Sequence, residues 1–221
     1  MTLQSAKKEL QRMGEILYQR QYITGREGNL SLRINSNDIL ITRSGVCKGE
    51  LTPTDVIKIS LKKNTFNQFQ KPSSELRLHL EVYRQRPEIK AVIHAHPPYA
   101  VSLSLAGISL EKPYTPESVL LLGAVPTAPY GRPSTSQLSE SIQKYIKKTD
   151  IIILERHGSL TVGHSLKEAF QKLEILEHTA KIVWLGRQAG IIKPLSLKEA
   201  KELFSLRRVT YGLEYPVIPF E

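Results

Sequence analysis

Ala91-Val92-Ile93-His94-Ala95-His96-Pro97-Pro98 is an apolar, partly β-branched run that stops at two prolines. Such a run reads as a buried strand. In a strand, residues i and i+2 point to one face, so His94 and His96 leave one edge of a sheet side by side. Two imidazoles on a rigid element supply two of the three protein ligands of an open catalytic zinc site. Two packed, hydrogen-bonded histidines would show the same pattern, so the meaning of the pair depends on the rest of the chain.

A second apolar run, Ile151-Ile152-Ile153-Leu154, is followed by His157-Gly158, and Leu160 to Gly163 reads as its return strand. His157 brings the imidazoles at strand ends to three, the ligand count of an open zinc site. Glu75 falls in Lys71-Pro72-Ser73-Ser74-Glu75 at a helix start, with Ser73 or Ser74 as the expected N-cap. Leu76, Leu80 and Tyr83 form the apolar face of that helix. Helix starts favour anions, so the spot suits an acid–base carboxylate, a bound phosphate beside the two hydroxyls, or simple capping. Gly28-Asn29 and Ser44-Gly45 are further turns able to offer backbone N–H groups to an anion. His79, His164 and His178 read as structural or surface residues, and Cys47 as a loop thiol.

Apolar periodicity predicts helices over Leu3 to Leu17, Tyr99 to Leu105, Glu117 to Leu122 and Ser136 to Lys147. Two more start at the capping boxes Ser165-Leu166-Lys167-Glu168 and Ser196-Leu197-Lys198-Glu199, running to near Gly190 and Leu206. Strands are expected at Leu30 to Ile34, Ile39 to Thr42, Val56 to Ile59 and Val125 to Ala128. Hairpin-like strand groups with helices between and after predict an α/β/α sandwich with a mainly antiparallel central sheet. One domain is expected over residues 1–221, with a C-terminal tail from about residue 207.

The chain has 221 residues, 40 % hydrophobic and 24 % charged, an ordinary globular composition. No apolar run reaches the roughly 18 to 20 residues of a membrane span. Lys7, Lys8, Glu9 and Arg12 stand where a signal peptide would be apolar. Cys47 is the only cysteine, which fits a reducing cytoplasm. The net charge of +10 suggests an anionic partner, but the basic residues are scattered as isolated pairs. That argues against nucleic acid and for a small-anion site on a basic surface.

Taken together, Gly28-Asn29-Leu30-Ser31, Ile41-Thr42-Arg43-Ser44-Gly45, Pro72-Ser73-Ser74-Glu75, His94-Ala95-His96, Ala128-Pro129-Tyr130 and His157-Gly158 have a specific order and spacing. The chain resembles the class II aldolase/adducin family through these segments, from about Leu3 to Leu213, and most closely the members that cleave L-fuculose 1-phosphate. The resemblance implies a homotetramer with active sites between neighbours. It implies Zn²⁺, or another divalent ion, held by His94, His96 and His157, with Glu75 joining when no substrate is bound. It assigns the substrate phosphate to Gly28, Asn29, Ser44, Gly45, Ser73 and Ser74. Thr210-Tyr211-Gly212-Leu213 also matches and places Tyr211 near a neighbour's substrate.

The implied reaction is cleavage of a ketose 1-phosphate, L-fuculose 1-phosphate or a related deoxy-pentulose or hexulose phosphate, to dihydroxyacetone phosphate and a small aldehyde. Glu75 would move the proton at the dihydroxyacetone phosphate carbon. Tyr114 is the candidate acid for the aldehyde oxygen, although the family tyrosine aligns at Thr115, and Glu117 is also close. Arg132-Pro133 replaces an aromatic that lines the aldehyde pocket. Within the family the alternatives are a methylthioribulose-phosphate-type dehydratase, a pentulose-phosphate 4-epimerase and a metal-free adducin-like scaffold. The epimerases usually carry Asp where this chain has Glu75, and the scaffolds lack the histidines.

Overall fold

Alternation within the apolar runs decides which side of the sheet each helix covers. The computed structural model describes residues 2–62 and 71–221. Its strands are β1 (Asn29–Arg33), β2 (Asp38–Thr42), β3 (Val56–Ser60), β4 (Ala91–Ala95), β5 (Thr127–Ala128), β6 (Ile151–Leu154) and β7 (Gly158–Gly163). Its helices are α1 (Leu3–Gln19), α2 (Leu76–Gln85), α3 (Pro98–Leu105), α4 (Pro116–Leu121), α5 (Ser136–Ser141), α6 (Leu166–Ala189) and α7 (Leu197–Val209).

The described strands form one sheet in the order β3-β2-β1-β4-β7-β6-β5. Every pairing is antiparallel except that of β5 with β6. β4, the histidine strand, is buried at every position between β1 and β7. Val92 packs with Ile39 and Ile41 of β2 against Leu78 and Val82 of α2 and Leu138 of α5. Ala91, Ile93 and Ala95 face the other way, onto Leu10 and Leu17 of α1 and Leu166 and Leu173 of α6. The layers are helix, sheet and helix, as expected. His94 shares the face of Val92, and α2 lies over that face, so Glu75, which precedes the helix, meets the histidine strand.

A buried polar knot fastens the layers. Asp150, just before β6, accepts from Arg86, just after α2, and from Lys172 of α6 at 2.5 Å. Lys172 also donates to Glu168 at 2.5 Å and to the Val162 carbonyl at 3.1 Å. The buried Glu177 of α6 accepts the N–H groups of Tyr99 and Ala100, fixing the start of α3.

Four expectations change in detail. Neither Ser73 nor Ser74 caps α2: Glu75 holds the cap position, and Ser73 Oγ accepts the Glu75 N–H at 3.2 Å. The first Ser-Leu-Lys-Glu is only half a capping box. Ser165 Oγ accepts the Glu168 N–H, but the Glu168 carboxylate goes to the His164 N–H and to Lys172. The second is a full box. The edge strand begins at Thr127 because Pro126 has no N–H for the ladder. α5 stops at Ser141, and turns then carry Ile142 and Ile146 into the core.

Candidate active site

The site is built where β4 ends and β7 begins, beside the start of α2. His94 is fully buried, and its Nδ1–H donates to the Ser159 carbonyl at 2.9 Å. Its Nε2 lies 3.1 Å from Glu75 Oε2 and 3.1 Å from His96 Nε2. The Nδ1 of His96 is 2.8 Å from Glu27 Oε2, and a carboxylate only accepts, so this nitrogen carries the proton. His157 sits in the β6–β7 turn with Nε2 3.4 Å from Glu75 Oε1. Its Nδ1 is buried and has no hydrogen-bond partner.

The neighbour of His157 explains the tight cluster. A Cβ on Gly158 would stand 2.5 Å from the Ala95 carbonyl and 2.6 Å from His96 Cδ2. Only glycine lets β7 approach the two histidines this closely. Gly28 serves likewise at the start of β1, with φ +66° and a Cβ position 2.4 Å from Ile23.

This donor set fits a divalent cation. One potential ligand atom from each of His94, His96 and His157 lies within 4.8 Å of the others. With their Nδ1–H groups spent on Ser159 and Glu27, neutral His94 and His96 turn bare Nε2 lone pairs toward each other and toward the Glu75 carboxylate. Such acceptors hold together only around a proton or a metal ion.

The electrostatics agree. Burial works against ionising Glu75, but the charge and hydrogen bond of His94, with Asn29 and His157, hold its carboxyl well below the usual range. Burial also disfavours His94⁺, yet Glu75 outweighs it and raises the His94 pKa. Burial and the His94 charge lower His96, and the same two causes push His157 down to about 4.

The expected phosphate residues fall in two groups. Ser44-Gly45 and Ser73-Ser74 lie on adjoining segments, joined by Ser44 N–H to the Lys71 carbonyl and Ser73 N–H to the Thr42 carbonyl. Gly28-Asn29 enters β1 beside His94, and Asn29 pairs with it in the ladder. The Asn29 side chain reaches Glu75 Oε2 at 2.7 Å. Tyr114 and Tyr211 are not brought to the histidines by any hydrogen bond among the described residues. The Tyr114 hydroxyl donates to the Ser109 carbonyl at 3.1 Å, and Tyr211 is exposed after α7.

Two residues escaped the sequence reading. Glu27 orients His96, and its only sequence signal is an acid inside the turn that leads to Gly28. Lys48, buried, donates to the carbonyls of Arg26 and Val46 and so ties the Gly28 turn to the Gly45 turn.

Residues 8–184 match the family of class II aldolase and adducin N-terminal domains. The chain belongs to this family. It is 38 % identical over 186 residues to a 3-oxo-tetronate 4-phosphate decarboxylase of Pectobacterium atrosepticum, covering 82 % of this chain and 85 % of that one. It is 35 % identical to an L-fuculose phosphate aldolase of Methanococcus vannielii, covering 79 % and 93 %. The crystal structure of YgbL from Klebsiella pneumoniae superposes with a TM-score of 0.82 at 34 % identity, covering 92 % of this chain and 99 % of that one. The chain is an enzyme of the class II aldolase type, a carbon–carbon lyase.

Proposed function

We propose that this protein decarboxylates a phosphorylated 3-oxo sugar acid of the 3-oxo-tetronate 4-phosphate kind, giving dihydroxyacetone phosphate and carbon dioxide. Aldol cleavage and this decarboxylation share one step. A carbon–carbon bond beside a carbonyl breaks, and its electron pair passes into the same enediolate. They differ in what departs. An aldehyde must have its oxygen deprotonated as it leaves, whereas a carboxylate leaves as carbon dioxide with no such help.

The observation that carries the proposal is the state of Tyr114 and Thr115. Tyr114 spends its hydroxyl on Ser109, and Thr115, which takes the place of the family tyrosine, caps α4 through the Ser118 N–H. The Tyr114 proton is thus spent on Ser109, while Thr115 only accepts at the cap and, as an aliphatic alcohol, is too weak an acid to stand in for a tyrosine at an aldehyde oxygen, in this subunit or in an identical neighbour. The identity to the decarboxylase of Pectobacterium atrosepticum supports the same reading. Cleavage of a ketose 1-phosphate is the second reading, supported by the likeness to the aldolase of Methanococcus vannielii.

His94, His96 and His157 are the proposed metal ligands, and their all-imidazole set suits zinc. A cation held there would supply Lewis-acid stabilisation of the negative charge on the substrate's carbonyl oxygen. Glu75 carries the proton to the carbon that loses the carboxylate, and the ionised Glu75 takes it back in the reverse exchange. Ser44 and Ser73 spend their N–H groups on joining their segments. The hydroxyls of Ser44, Ser73 and Ser74 and the Gly45 N–H are therefore the donors offered to the phosphate. In a homotetramer Tyr211 would reach a neighbour's site, and the exposed Leu206, Val209 and Ile191 support such an interface.

The test is a comparison of substrates on zinc-loaded protein. We expect equal amounts of carbon dioxide and dihydroxyacetone phosphate from 3-oxo-tetronate 4-phosphate, with kcat/KM at least about tenfold above that for L-fuculose 1-phosphate, a difference of about 1.4 kcal/mol. Rapid aldehyde release from L-fuculose 1-phosphate with no carbon dioxide from the acid would replace the first reading by the second.

A further inference from the structure

A line of buried side chains runs behind Glu75 and has no place in the chemistry described so far. It joins Tyr83 and His79 of α2 to Ser31 and Asn29 of β1. Asn29 Nδ2 is 2.7 Å from Glu75 Oε2, and His79 Nε2 is 2.5 Å from Asn29 Oδ1. Ser31 Oγ is 2.6 Å from His79 Nδ1 and 2.8 Å from the Tyr83 hydroxyl. Ser31 and His79 are wholly buried, and Tyr83 is almost so.

Every donor in this line is determined by its end. The Glu75 carboxylate only accepts, so Asn29 presents its NH₂ to Glu75 and its oxygen to His79. That oxygen only accepts, so the His79 proton is on Nε2. Burial holds His79 neutral, its pKa pushed down to about 3. Its Nδ1 is therefore bare and takes the Ser31 hydroxyl proton. Ser31 Oγ in turn accepts from Tyr83, whose hydroxyl also lies 3.3 Å from the Lys90 carbonyl. Reversing the Asn29 amide would set its oxygen against the carboxylate and its NH₂ against an N–H. Undoing that clash would require His79 to change tautomer and Ser31 and Tyr83 to turn with it. Networks of this kind hold one arrangement because each partial alternative leaves a buried group unpaired.

We propose that His79, backed by Ser31 and Tyr83, is a positioning residue for proton transfer. It locks the Asn29 amide, and the amide holds the Glu75 carboxylate in its proton-transferring place. This inference rests on the proposed role of Glu75. The line also gives β1 and α2 a shared duty, since each supplies alternate members of it.

The experiment is hydrogen exchange of dihydroxyacetone phosphate in D₂O by zinc-loaded protein, measured as a function of its concentration. His79→Leu removes both ring nitrogens, while His79→Gln restores one N–H able to reach Asn29. We expect His79→Leu to lower the maximal exchange rate by about 10- to 100-fold, the scale of a misplaced acid–base group. The half-saturating concentration and the zinc affinity should stay within about twofold, since His79, Ser31 and Tyr83 bond none of the three histidines and none of the proposed phosphate donors. His79→Gln should recover most of the rate. Tyr83→Phe, which removes one hydroxyl and keeps the ring in the core, should lower the maximal rate by about threefold to tenfold. A maximal rate unchanged in His79→Leu and Tyr83→Phe, or one that falls only in step with lost zinc or lost folded protein, would overturn the proposal. Glu75→Gln separates the two layers of inference. If it keeps full exchange, the role of Glu75 fails; if it stops exchange while the His79 and Tyr83 variants do not slow it, only the positioning line fails.

Discussion

Gly158 is the smallest part of the proposed metal centre and one of its tightest constraints. Gly158→Ala would press a methyl group onto the Ala95 carbonyl and the His96 ring, and both are held in the sheet. We expect a loss of about 1–3 kcal/mol in stability and a clear loss of zinc affinity, measured by thermal unfolding and by competition with a chromophoric chelator. Glu27→Gln should leave the fold intact and weaken zinc binding by about 10- to 100-fold, because the carboxylate fixes the proton on His96 Nδ1. The proton on His94 sets the pH dependence. Burial opposes the charge of His94, but Glu75 raises its pKa above the usual 6.5, so zinc competes with this proton at a higher pH than at an ordinary histidine. Zinc affinity should therefore fall as pH drops through the His94 pKa, by up to about tenfold per unit from this group. Calorimetry in buffers of different ionisation enthalpy would check this through the proton released. At this scale the sequence was half legible. His94 and His96 announced themselves by spacing, and Glu75 by its place at a helix start. Glu27 and His79 did not, because each acts on a residue distant in the chain and carries no local pattern.

Among the elements, α2 and α6 carry most of the arrangement. α2 gives its cap position to Glu75 without a capping side chain, so its first turn is held by the site and by its apolar face rather than by Ser73 or Ser74. The sequence showed the helix and its face, but not which polar residue would be spent on capping and which on histidines. That choice depends on what stands opposite in the folded sheet. α6 shows the same limit. Its Ser165-Leu166-Lys167-Glu168 has full capping-box spelling, yet Glu168 is drawn to Lys172 because Lys172 is buried and must be paired. The Arg86–Asp150–Lys172 knot joins three elements. Asp150→Ala would leave two buried cations without their shared partner and should cost about 3–5 kcal/mol, read as a lower urea midpoint. A change of less than about 1 kcal/mol would mean that the cations find water or other partners.

For the whole molecule, the mainly antiparallel sheet between two helical layers was readable from alternating apolar runs and their turns. The strand order was not, since nothing local says that β4 lies between β1 and β7. That order is what makes the site. It sets Asn29 beside His94, brings the Gly158 end of β7 against His96, and leaves the start of α2 over both. Tyr114 and Tyr211 were expected at the site only through resemblance, and no hydrogen bond among the described residues ties them to the histidines. The central claim is that three histidines and Glu75 together form and quench an enediolate, whatever fragment departs. Deuterium uptake by dihydroxyacetone phosphate in D₂O tests it most directly. Zinc-loaded protein should exchange one of the two hydroxymethyl hydrogens. Chelation should stop the exchange, and so should Glu75→Gln with zinc still bound. No exchange by the loaded enzyme, or exchange undiminished in Glu75→Gln, would contradict it.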